Sequence, residues 1–341
     1  MQNNQSAALR FGSVASGIEA ASVAFNPLGW KAAWFSEIEA FPCKVLAHHF
    51  PSVPNLGDMT ALPARILSGE VEAPDVLCGG TPCQAFSIAG LRKSLGDARG
   101  NLSLTFCEIA NAIDTKRRES GKPPAVVLWE NVFGCLSTDD NFFGCFLGAL
   151  AGEDDPLEPA GGKWSNAGCV FGPERAIAWR VLDAKHFGLA QKRRRVIVVA
   201  CPLEVAHPTA VLFELESAIG NSAQADSQAA EAEFPEPPDE VLDSCWWDGS
   251  QLSQTLDAVL YKKQCLPEKT RFPAVWDEGR LRFITPTECE RLQGFPDAWT
   301  DIPGASDTAR YKALGNSWPV PMIRWVGARI DEAVRQRSEF A

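Results

Sequence analysis

The sequence predicts an α/β protein built on a doubly wound, mostly parallel sheet, with a smaller domain inserted late in the chain. Three observations point there. Short apolar runs rich in Val, Leu and Ile alternate with longer amphipathic stretches. Each run stops at Gly, Pro or a charged residue, and the alternation fails after Cys201. Continuous apolarity over five or six residues suits strands buried on both faces, which is the condition of a parallel sheet.

Taken in order, residues 9–15, 74–78, 125–129 and 195–200 are the predicted strands. Residues 42–50 and 141–151 read as helices. Leu102, Phe106, Ile109 and Ile113 recur at steps of four, three and four, a helical stripe ending before Lys116-Arg117-Arg118. Residues 214–240, rich in Ala, Ser, Gln, Glu and Pro, read as a flexible linker. Thr285-Pro286-Thr287-Glu288 marks a helix start, with Thr as cap and Pro at the first helical position. Met322, Val326, Ile330 and Val334 stripe a last helix whose first turn takes up Pro319 and Pro321. The expected division is a large domain over 1–201 completed by 307–341, a small domain over 202–282 and a hinge over 283–306.

Charge argues at first against nucleic acid. The chain of 341 residues has a formal net charge of −11, and phosphate backbones are held by Lys and Arg. However, residues 202–250 carry eleven Asp or Glu and no Lys or Arg, so the remainder is neutral overall. The acidity belongs to one segment. No apolar run approaches the roughly 18 to 20 residues that span a bilayer, and the polar start, Met1 to Ser6, lacks the design of a signal peptide. Eleven cysteines without a CxxC pair, and four histidines at no ligand spacing, predict no metal site and a reducing, cytoplasmic compartment.

Three stretches carry chemistry. Cys83 lies in Cys78-Gly-Gly-Thr-Pro-Cys-Gln-Ala-Phe-Ser87, a constrained turn at a strand's carboxyl end, where an α/β enzyme presents a nucleophile. Glu130 follows four apolar residues in Val126-Val-Leu-Trp-Glu-Asn-Val132, and a carboxyl emerging from a buried strand is a candidate proton donor. Gln191-Lys-Arg-Arg-Arg195 leads straight into an apolar run, where guanidiniums are placed to hold anions or carbonyl oxygens.

These residues resemble the DNA cytosine-C5 methyltransferase family. Pro82-Cys83-Gln84 is similar to its nucleophile motif, Glu130-Asn131-Val132 to its glutamate motif and Gln191 to Arg195 to its Q-x-R-x-R motif. Residues 282–296 resemble the segment closing the target-recognition region, and Gly315-Asn316-Ser317 the G-N-S motif opening the final helix. Five motifs in family order, from about residue 9 to 331, cover nearly the whole chain. The first motif, Gly12 to Ser22, is similar to the phage- and prophage-borne branch.

The resemblance implies a Rossmann-like fold using S-adenosyl-L-methionine and acting on double-stranded DNA, as a cytoplasmic monomer, with any restriction endonuclease partner unspecified. Cys83 would add to C6 of a flipped-out cytosine, Glu130 would donate at N3, Arg195 would sit near O2, and Arg193 would steady the loop and the developing charge. The cofactor is expected around Ala15, Gly17, Ile18, Glu37, Ile38, Asp58, Met59, Pro82, Asn316, Ser317 and Trp318, with Glu37 on the ribose hydroxyls and Ile38 against the adenine. Only Gly17 matches the family's glycine-rich turn. Ala15 stands where an aromatic would stack on adenine, and Trp318 replaces a small aliphatic residue. DNA contacts fall on Gln84, Ser87, Arg92, Lys93 and Thr255, and base reading on 245–282, where Lys262, Lys263, Lys269 and Arg271 cluster. Two alternatives stay open: a tRNA methyltransferase, whose own recognition motif is not found, and a catalytically silent cofactor- and DNA-binding relative.

Overall fold

The computed structural model describes residues 8–82, 102–213, 252–258, 274–277 and 280–340. Strands β1 (Arg10–Val14), β2 (Lys31–Ser36), β3 (Val76–Gly79), β4 (Val126–Val132), β5 (Ala167–Phe171), β6 (Ala176–Asp183) and β7 (Arg194–Cys201) form one sheet in the order β2-β1-β3-β4-β7-β6-β5. Alternate residues of each central strand enter opposite cores. Val76, Cys78, Val126, Leu128, Ile197 and Val199 face one side, and Leu77, Val127, Trp129, Val196 and Val198 the other. That two-sided burial is why these strands read as unbroken apolar runs.

Helices close both faces. On the first side lie α1 (Ala20–Phe25), α2 (Ala40–His49), α6 (Pro208–Leu212), α7 (Pro286–Gln293), α8 (Asp307–Asn316) and α9 (Val320–Phe340), with α9 packed on α1 and α6. On the second lie α3 (Leu62–Leu67), α4 (Leu102–Glu119) and α5 (Phe142–Ala151). The predicted start of α7 is present as a reciprocal capping box: Thr285 Oγ1 accepts from the Glu288 N–H, and Glu288 Oε2 accepts from the Thr285 N–H. Arg282 binds Glu288 at 2.8 Å and holds that carboxyl down at about 2. A two-stranded sheet of β8 (Ala274–Asp277) and β9 (Arg280–Phe283) precedes it.

The sheet is mostly parallel, as expected: strands β1 to β4 pair in parallel, while β7 runs antiparallel to both β4 and β6, and β5 antiparallel to β6. Five of the seven strands therefore share one direction. Two expectations need correction. Helix α4 continues through Lys116–Arg118 to Glu119, because Arg117 turns inward to the Ala73 and Pro123 carbonyls and to Asp75. Pro319 precedes α9, and its carbonyl accepts the Ile323 N–H as a cap. The linker expected over 214–240 lies outside the described residues.

Candidate active site

The reversed direction of β7 assembles the site. Glu130 stands near the carboxyl end of β4, whereas the basic run stands at the amino end of β7. Antiparallel pairing places Arg195 opposite Val132 and Ile197 opposite Glu130. Arg195 and Glu130 then form an ion pair, Nε to Oε1 at 2.9 Å, with both side chains largely buried. Burial pushes the Glu130 carboxyl up, and the charges of Arg195 and Arg193 pull it back only in part. A carboxyl held this way carries its proton at higher pH than an exposed one.

Arg193 lies on the same face and is 1% exposed. Its guanidinium donates to the carbonyls of Leu256 at 2.6 Å, Gly315 at 2.9 Å and Ser317 at 2.6 Å. It ties β7 to the 252–258 segment and to the end of α8. Burial drives its proton affinity well below the ordinary value.

The strap from Gly80 to Pro82 comes off β3 beside this pair. Thr81 is fixed from three sides: the Asn131 amide donates to its carbonyl at 2.8 Å, the Trp129 indole to its hydroxyl at 3.0 Å, and that hydroxyl pairs with Ser103 at 2.8 Å. Both described ends of the chain around the 83–101 segment are thereby tied together and to β4. Cys78, at the end of β3, is fully buried with its thiol pushed well above the ordinary value, which makes it a packing residue. Cys83, Gln84, Ser87, Arg92, Lys93, Lys262, Lys263 and Arg271 lie outside the described residues. Among those described, no group of three or more metal-ligating side chains occurs, and no helix is long and apolar enough to cross a membrane.

From Glu130 and Arg195 a cleft of about 810 Å³ runs past Pro82 to Glu37, within the range of about 300–1,000 Å³ usual for ligand pockets. Ala15, Gly17, Ile38, Asp58, Met59, Asn316 and Thr255 line it too. Ile18 does not; it is buried in the core beneath the turn. Ser317 and Trp318 face a smaller recess shared with residues 13–17. The Thr255 hydroxyl donates to the Lys192 carbonyl at 2.6 Å, stitching its segment to the basic run.

The Glu37 carboxylate accepts from the Gly17 N–H at 2.7 Å and from the Ile38 and Glu39 N–H groups at 2.8 and 2.7 Å. Held by its own backbone at the cleft wall, it presents fixed acceptors suited to vicinal hydroxyls. Ile38 is 71% exposed, an uncovered apolar surface at the lip of the same cleft. These residues fit a nucleoside cofactor. The turn, which keeps only Gly17 of the glycine pattern, survives because Ala15 and Glu19 also adopt left-handed backbone, φ 47° and 63°, and Glu19 caps α1 through Ser22. Sequence reasoning missed Phe41, whose ring lines the cleft in the first turn of α2, and Lys312, which bridges to Glu39 at 2.9 Å from α8. Phe41 stands four residues past Glu37, a spacing that no strand or turn signal marks.

Comparison with known proteins agrees with this arrangement. The model of the C-5 cytosine-specific DNA methylase family matches residues 9–256 and 244–332. A DNA N-6-adenine-methyltransferase of Escherichia phage P1 is 38% identical over 97% of this chain, which spans 62% of that protein's length. Type II methyltransferase M.HpaII of Haemophilus parainfluenzae is 28% identical over 93% of this chain and 87% of its own. Among solved structures, the Dnmt2 methyltransferase of S. pombe superposes with a TM-score of 0.62 at 15% identity, covering 95% of this chain and 99% of its own. The Entamoeba histolytica methyltransferase EhMeth gives 0.57 at 15% identity, covering 95% and 98%. Motifs, sheet and cleft thus agree, and the chain belongs to the C-5 cytosine-specific DNA methylase family.

Proposed function

We propose that the protein methylates C5 of a cytosine flipped out of double-stranded DNA, through a covalent bond from Cys83 to C6. The observation that carries this is the Glu130–Arg195 pair at one end of a single cleft whose other end is built around Glu37. Cytosine C5 is a weak nucleophile, so ring aromaticity must be broken first. Cys83, next along the chain from cleft-lining Pro82, adds as thiolate to C6. Glu130, whose burial favours retention of a proton, donates at N3, and Arg195 stabilises charge at O2. The cofactor, S-adenosyl-L-methionine, supplies an electrophilic methyl group to the C5 carbon so activated. Glu37, Ile38 and Asp58 hold its adenosine part, and Asn316 lines the wall between them and Glu130. Loss of the C5 proton to water re-forms the C5–C6 double bond and breaks the C6–S bond, so that Cys83 departs as thiolate.

The name of the phage relative raises a second reading, transfer to the exocyclic amine of adenine. Such a reaction needs neither a thiol nucleophile nor a donor–cation pair aimed at a pyrimidine edge. Nucleoside mass spectrometry of plasmid DNA from expressing cells separates the two. The expected product is 5-methylcytosine, lost in Cys83→Ser, with a covalent adduct on 5-fluorocytosine DNA; N6-methyladenine instead would overturn the proposal.

A further inference from the structure

Strand β2 ends at Ser36, one residue short of Glu37, so the strand ladder no longer holds the backbone that carries the carboxylate of the cleft wall. The side chain of Asn55 takes over there. Its Oδ1 accepts from the Glu37 N–H at 3.0 Å, and its Nδ2 donates to the Glu37 carbonyl at 3.1 Å. Donor and acceptor lie in one plane, so the amide offers Glu37 what the peptide groups of a neighbouring strand would offer. Oδ1 also accepts from the Gly57 N–H at 3.3 Å. Two N–H groups converging on one end and a carbonyl on the other fix which way the amide points. The Cys43 thiol is a further donor to the Glu37 carbonyl, at 3.3 Å.

Asn55 can grip because its own backbone is fixed. The Phe35 N–H donates to the Pro54 carbonyl at 2.9 Å, and the Leu56 N–H to the Phe35 carbonyl at 2.8 Å, an isolated parallel bridge to β2. The Ser36 hydroxyl donates to the Gly57 carbonyl at 2.6 Å. Residues 54–57 thus add one rung to the sheet, and the Asn55 side chain adds the next.

We propose that Asn55 is a positioning residue for Glu37: its amide holds the backbone from which the carboxylate reaches the vicinal hydroxyls of the cofactor's ribose. The inference rests on the reading of Glu37 as the ribose acceptor. Of the three N–H groups on that carboxylate, those of Ile38 and Glu39 travel with Glu37, whereas that of Gly17 belongs to the turn after β1. Asn55 therefore sets where the carboxylate sits relative to the rest of the cleft. It stands at the surface, so replacing it empties no core.

The test is a double-mutant cycle on the full-length protein, read by calorimetric binding of S-adenosyl-L-homocysteine and of its 2′-deoxyribose counterpart. The proteins are the wild type, Asn55→Ala, Glu37→Ala and the double variant. Asn55→Leu, which keeps the volume and loses both hydrogen-bonding groups, repeats the cycle in case Asn55→Ala folds poorly. Either substitution at 55 is expected to weaken binding of S-adenosyl-L-homocysteine by roughly fivefold to tenfold. The 2′-deoxy probe should lose less, and in the Glu37→Ala background the further loss should stay under about twofold. A side chain that only supported the fold would weaken both probes by the same factor in both backgrounds. That result, or no weakening at all, overturns the inference. If Glu37→Ala binds both probes as the wild type does, it is the ribose role of Glu37 that falls, and the inference with it.

Discussion

Glu19 sits in a backbone conformation that favours glycine, with φ 63°, and its side chain offsets the strain by capping α1. The capping carboxyl is fully buried, which raises it to about 7 from an ordinary 4.5, against the pull of Ser22 and Ser13. Below pH 4.5 the folded and unfolded chains are both protonated there. Between 4.5 and 7 the unfolded chain ionises first, so stability falls with rising pH, by about 3 kcal/mol in all. Glu19→Gln keeps an acceptor for Ser22 and cannot ionise. Its melting temperature is expected to depend less on pH between 5 and 8 than that of the wild type, and a parallel dependence would refute this role. The sequence showed that the glycine pattern was missing. It could not show the replacement, because a cap is recognised by where a carboxylate points.

Among elements, β7 teaches most. Its position and buried character follow from the apolar run 196–200, since two-sided burial leaves a mark in composition. Its direction leaves no such mark, and direction decides that Arg193 and Arg195 stand beside Glu130. The same element shows why two arginines two residues apart have different work: one is paired with a carboxylate, the other with three backbone carbonyls. Arg193→Lys cannot satisfy those carbonyls in the same plane. It is expected to cost about 2–4 kcal/mol in urea denaturation along with its effect on rate. Arg195→Lys, lying at the cleft, should slow methylation with a smaller loss of stability. Equal losses of stability would show that the two are not so divided. Strands β5 and β6 escaped sequence reading because β5 is a short edge strand with alternating exposure and β6 carries Arg180 in mid-run.

At the scale of the molecule, the chain leaves the sheet after β7 and returns to it near residue 252, and both points are clamped. Arg329 of α9 donates to the carbonyls of Ala210, Val211 and Phe213. On return, Ser253 exchanges backbone hydrogen bonds with Ala190 and Lys192, and the Leu256 N–H donates to Gln191. The strong acidity of 202–250 is thus carried largely between two fixed points. Deleting residues 216–238 is expected to leave the methylation rate, thermal stability and product unchanged. Loss of activity in a protein that still melts cooperatively would show that the segment takes part. The clamps were not legible in the sequence, because they depend on contacts between residues about 60 to 120 positions apart.

The stitching of residues 253–256 onto the basic run also bears on inheritance. A segment whose two feet are fastened independently of its content can be traded for another of different length, since each doubling of the span costs only about 0.6 kcal/mol in closure entropy. The sheet and its carboxyl–guanidinium pair can then be retained unchanged while the length and content between the two feet vary.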